Sequence, residues 1–174
     1  MKRILLGLLV FILAVGGSGY YLIKDKIADA EPDSAWYSVK LFSEWVQLQI
    51  PASDEQKIEL KLQFMQERIA ELASLENAKK LTKENVERIQ KSYNALAEDL
   101  MNSLKRQAQD AVDDQKEALK KALIEKAKHI TAQQQESLKK ILDTAPEGVK
   151  SSLNDIGKTM GDAYARAAAI FKSP

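Results

Sequence analysis

The residues most suited to acid–base chemistry are two carboxylate pairs, Glu98 beside Asp99 and Asp113 beside Asp114. Catalysis by such a pair requires both groups to be gathered in one place with their pKa values pushed apart. Nothing in the surrounding pattern gathers either pair into a cleft, so both read as solvated groups on helix surfaces. There is one histidine, His129. A di-iron helical bundle needs Glu-x-x-His motifs from two helices, and this chain has none. His129 follows Lys126 and Lys128 near an expected helix end, where its charge suits the dipole. It therefore reads as a capping or packing residue and not as a metal ligand. Serine and lysine are plentiful, so a Ser–Lys dyad stays open without a motif to place it. Cysteine is absent, which removes disulfides, thiolate nucleophiles and thiolate metal sites. No Gly-x-Gly-x-x-Gly, phosphate loop or Gly-x-Ser-x-Gly occurs. No cofactor, metal or small-molecule substrate is expected, and no enzyme.

Charge points the same way. The 174 residues carry 26 Lys and Arg against 25 Asp and Glu, so no basic footprint for nucleic acid follows. Lys79-Lys80, Lys120-Lys121 and Lys139-Lys140 are pairs and not larger clusters, and read as solvated helix faces, with a lipid-headgroup contact as the minor reading.

Compartment is set by residues 4–23. This run contains no charge, follows Lys2-Arg3 and is closed by Lys24-Asp25-Lys26. Twenty residues make about 30 Å of helix, close to the thickness of a bilayer core. Two readings compete. An uncleaved anchor is favoured by the length of the run and by Tyr20-Tyr21 at its end, an interfacial aromatic pair. A cleaved signal is favoured by Gly16, Gly17 and Gly19, which shorten the apolar core, and by Ala28-Asp29-Ala30, a small-x-small site that would leave Glu31 first. Residues 1–30 are accordingly read as anchor or signal, and residues 31–174 as an extracytoplasmic helical domain. The expected location is a single-pass membrane protein with its C-terminal domain outside, or a secreted protein if cut after Ala30.

The rest reads as all-α. Pro32 breaks the chain, and Asp33 or Ser34 caps a helix carrying Trp36, Val39, Phe42, Trp45 and Val46 on one face. Both tryptophans of the protein lie in it. The plain reading is a lid that buries these rings on a bundle; the sharper one is an aromatic helix lying in the lipid headgroup layer. After Pro51, Ser53 or Asp54 caps a second helix, whose seam Ile58, Leu62, Met65, Ile69 and Leu72 steps by fours and threes. Thr82 caps the next, with Val86, Ile89, Tyr93, Leu96, Leu100 and Leu104 in the same rhythm. No proline or glycine interrupts residues 52–145. Residues 83 to about 129 read as one long bent helix, in preference to two meeting near residue 114. A boundary is expected at His129-Ile130-Thr131, with Thr131 as cap. Pro146 then restarts the chain into a last helix with Val149, Leu153, Ile156, Met160, Tyr164, Ala167 and Phe171 inward. Gly157, Gly161 and nearby alanines would let a neighbour approach closely. The architecture expected is an N-terminal transmembrane or signal helix, then an antiparallel helical bundle with a coiled-coil-like hairpin of long helices.

Several of these residues also form a pattern. Pro32-Asp33-Ser34-x-x-Tyr37-x-x-Lys40, then Glu44-x-Val46-Gln47-Leu48, then Lys57-x-Glu59-Leu60-x-Leu62-x-Phe64-x-x-x-Arg68 resembles an uncharacterised bacterial family of exported or membrane-anchored helical domains. His129-Ile130, Leu138-x-x-Ile141-Leu142 and Pro146-Glu147 resemble its second half, so the likeness spans about residues 32–160. The resemblance implies location and fold, and marks Pro32, Asp33, Ser34, Tyr37 and Lys40 as signature positions, with Trp36, Trp45, His129 and Pro146 beside them as packing positions. No activity comes with the family. Some relatives are similar to the outer part of membrane proteins tied to sigma-factor regulation, which implies an alternative role as a sensor domain. Only three residues precede the apolar run, so a separate subunit would have to carry that signal inward. The first expectation is a non-enzymatic scaffold or interaction protein of the cell envelope, partnered by the membrane and by another protein or a second copy.

Overall fold

A computed structural model describes residues 27, 29–50, 53–109 and 114–170. Residues 1–26, Ala28, Pro51, Asp113 and Phe171 lie outside them, and with them the anchor or signal run and one member of the Asp113–Asp114 pair. The described residues are all-helical, in five helices without strands: α1 Tyr37–Gln49, α2 Asp54–Asn77, α3 Lys83–Gln109, α4 Asp114–Thr144 and α5 Glu147–Ile170. None of them is long and apolar enough to cross a membrane. The chain forms two compact units, one reaching to Gln47 and the other starting at Leu48.

In the first unit, Pro32 and Asp33 occupy the corner of a turn closed by Ser34 N–H on Glu31 C=O at 2.9 Å. Proline pre-sets the backbone for that position. The Ser34 hydroxyl oxygen then accepts the Trp36 N–H at 3.1 Å, satisfying an orphan donor before α1 begins.

In the second unit the start signals act as their chemistry requires. Ser53 and Gln56 form a capping box at α2: Ser53 Oγ accepts Gln56 N–H at 3.2 Å, and Gln56 Oε1 accepts Ser53 N–H at 3.1 Å. Thr82 Oγ1 accepts Asn85 N–H at 3.3 Å at the start of α3. Between them α2 ends on Lys79, the one non-glycine residue with positive φ among the described residues, at 58°. Its left-handed turn lets Lys80 N–H reach Leu75 C=O at 2.7 Å, closing the helix end in the manner usually given to glycine.

Two hairpins build the core. Helices α2 and α3 run antiparallel, tied by Gln107 to Glu55 at 2.8 Å at one end. Helices α4 and α5 are joined at the tight Ala145-Pro146 turn. The hairpins lie side by side, with α2 along α4 and α3 along α5. Lys126 on Glu59 at 2.6 Å and Thr144 on Glu76 at 2.8 Å show that α2 and α4 run in the same direction. The expected seams face inward: Ile58, Leu62, Met65, Ile69 and Leu72 of α2, Val86, Ile89, Tyr93, Leu100 and Leu104 of α3, and Val149, Leu153, Ile156 and Met160 of α5 are buried in one cluster.

Two boundary expectations fail. The span from residue 83 to 129 is not one helix: Gln107 of α3 and Lys126 of α4 both reach the start of α2, at Glu55 and Glu59, so the two helices run in opposite directions, and the apolar rhythm of the sequence thins between them. Nor does a helix end at His129–Thr131. Helix α4 runs through it, because Leu123, Ala127, Ile130, Gln134, Leu138 and Ile141 keep stepping by threes and fours on its inner face. Thr131 is mid-helix and caps nothing.

Candidate functional site

A Ser–Lys pair does form inside the bundle, although no motif announced it. Lys61 of α2 and Ser103 of α3 are both buried, with Lys61 Nζ donating to Ser103 Oγ at 2.7 Å. The same ammonium donates to Asp99 C=O at 3.3 Å and meets Asp99 Oδ2 at 2.8 Å. A lysine base needs a neutral amine with a free lone pair. Here the three hydrogen-bonding positions of Nζ are taken up by Ser103 Oγ, Asp99 C=O and Asp99 Oδ2. The arrangement is a clamp between two helices. Of the Glu98–Asp99 pair, Asp99 turns to Lys61, and both carboxylates stay exposed.

Two further polar groups are buried, and one of them ties helices. Tyr93 of α3 donates its hydroxyl to Gln134 Oε1 of α4 at 2.9 Å. Burial pushes the Tyr93 phenol well above its ordinary pKa, since a phenolate would lose its hydration there. Arg68, fully buried, lies 3.3 Å from Glu71 and 3.9 Å from Glu67 on its own helix. Lys61, Arg68 and Leu75 recur every seven residues beside the α2 seam, and all three are buried. That heptad recurrence was the available signal for a buried arc wider than one stripe.

The positions marked by the resemblance are spread over the first unit and the bundle. Pro32 is buried, Asp33 exposed, and Tyr37, Lys40 and Glu44 share one buried face of α1, at 0%, 9% and 7% exposure. Both charged side chains of that face are partnered. His129 is exposed in the middle of α4, neither a cap nor a core residue, and Pro146 is exposed between α4 and α5. Among the described residues no cluster of His, Cys, Asp or Glu could hold a metal ion.

The largest departure from expectation is in α1. Its apolar face was expected to be a packing lid. Trp36 is instead 41% exposed, Val39 36%, Trp45 46%, and Ile50, just past the helix, 54%. Phe42 and Val46 are half-buried, and the Phe42 ring lies against Trp45, with centroids 5.6 Å apart. The buried side of α1 is the one carrying Tyr37, Lys40 and Glu44.

No curated protein and no solved structure matches the chain. A family match does exist, and it covers residues 29–148 rather than the span to residue 160 suggested by the motifs. It runs from the turns before α1 to the start of α5, so Val149, Leu153, Ile156 and Met160, which complete the core, lie beyond it. On that match the chain belongs to the family described as a domain of unknown function, DUF5667.

Proposed function

We propose that this chain is a non-enzymatic, membrane-anchored helical interaction protein of the cell envelope, with residues 31–174 on the outer side. The observation that carries the reading is the uncharged run of residues 4–23 between Lys2-Arg3 and Lys24-Asp25-Lys26. A run of that length can satisfy its backbone and side chains in lipid. The two basic residues and the amino terminus ahead of it favour an N-terminus inside. The role of Lys61, Asp99, Ser103, Tyr93 and Gln134 as ties between helices supports a binding or scaffolding body. A secreted form cut after Ala30 is the second reading. Ala30 is buried at 5% exposure, so such a cut has to precede folding.

The test is the first residue of the protein recovered from cells, read in separate membrane and soluble fractions. Met1 in the membrane fraction is the expected result. Glu31 in the medium replaces the anchor with a signal, and Met1 in the cytosol overturns the proposal.

A further inference from the structure

Helix α1 inverts the usual partition of a surface helix. From residue 36 to 50 its only charged side chains are Lys40 and Glu44, and both are buried. What it shows to solvent is Trp36, Val39, Trp45 and Ile50, interspersed with exposed Ser38, Gln47 and Gln49. Soluble surfaces normally carry charge and keep such rings inside. We infer that this uncharged aromatic face of α1 lies in the headgroup layer of the bilayer that holds residues 4–23, an inference that rests on the anchored reading.

Three observations choose lipid over another occupant. Reach is the first. Only twelve residues, 24–35, separate the apolar run from Trp36, at most about 45 Å of extended chain. The face is therefore held at high effective concentration beside the membrane. Area is the second. The four side chains expose on the order of 350 Å², less than half of the ~800 Å² per partner that a stable dimer buries. Chemistry is the third. Tryptophan prefers the membrane interface, where its ring is shielded and its N–H finds an acceptor, and serine and glutamine tolerate that wet zone. Attraction by charge is not the driving force: residues 24–35 carry Lys24 and Lys26 against Asp25, Asp29, Glu31 and Asp33. The contact should therefore form on zwitterionic lipid and survive salt.

The protein provides its own probe, since its two tryptophans are both exposed on this segment. The full chain is reconstituted in phosphatidylcholine vesicles, with or without a quencher attached near the lipid headgroup, and bound protein is isolated by flotation. The expected result is a blue-shifted emission, a roughly twofold loss with the shallow quencher and protection from aqueous acrylamide, all unchanged in 0.5 M salt. The variant Val39→Ser/Ile50→Ser removes apolar contact without touching either fluorophore, and should weaken that protection while the chain still floats. Tryptophan open to acrylamide in chain that floats overturns the inference and leaves the anchor standing. Chain that fails to float removes both. Protection that grows with protein concentration in detergent assigns the face to a second copy and overturns the lipid contact.

Discussion

Lys79 holds a backbone conformation that costs an ordinary residue about 1 kcal/mol and glycine little. Its φ of 58° is what lets Lys80 N–H close α2 on Leu75. Lys79→Gly should therefore raise unfolding free energy by about 0.5–1 kcal/mol, after allowance for the greater freedom of glycine in the unfolded chain. Urea denaturation measures this, and a loss would mean that the lysine side chain matters more than the turn. Tyr93 gives a second prediction at this scale. Tyr93→Phe removes the bond to Gln134 Oε1 and should cost about 1–2 kcal/mol at neutral pH. The folded phenol holds its proton more tightly than the unfolded one. Its contribution is thus complete below pH ~10 and is lost as pH rises beyond that. Stability of the unmodified protein should fall more steeply above pH 10 than that of Tyr93→Phe; parallel slopes in denaturation between pH 8 and 11 would contradict this. Neither feature was legible beforehand. A lysine at a left-handed turn follows no propensity rule, and the partner of Tyr93 depended on which residue of α4 faced it.

Among the elements, the small residues of α5 separate into two kinds. A Cβ added at Gly157 would stand 3.3 Å from Leu138 Cδ2, whereas Gly161 has nothing within 4 Å. Gly161→Ala should thus gain most of the ~0.5–1 kcal/mol that alanine offers in a helix interior. Gly157→Ala should gain distinctly less, because buried Leu138 must shift. Thermal unfolding of the two variants side by side tests the difference; equal gains would mean that α4 and α5 do not pack closely there. The seams of α2, α3 and α5 were legible because threes and fours of apolar residues admit only one inward face. The break between α3 and α4 was not, since no proline or glycine marks it and only a thinning of apolar residues does. For α1 the plain reading, a lid with buried rings, fails for a different reason. Apolarity identifies a face, but what lies opposite the face decides whether it is buried in protein.

At the scale of the whole molecule, the four-helix unit is completed by a helix that lies almost entirely beyond the family match at residue 148. Removing residues 149–174 uncovers the α3 and α4 faces that pack on Val149, Leu153, Ile156 and Met160. Each buried side chain of that kind contributes about 1.5–3 kcal/mol, and a domain of this size is stable by only about 5–15 kcal/mol. A chain ending at residue 148 should therefore lose cooperative unfolding by circular dichroism, and a sharp transition in it would show that the matched span is self-sufficient. Composition made the all-helical class legible, and the apolar run supplied the case for a membrane; which helix closes the core was not visible in motifs. The placement of that body outside a membrane is the claim on which the functional reading stands. It is tested most directly by adding protease to intact cells. The account predicts that residues 31–174 are digested while a cytoplasmic marker survives, leaving a short N-terminal fragment in the membrane. Full protection of the chain until the cells are lysed would contradict it.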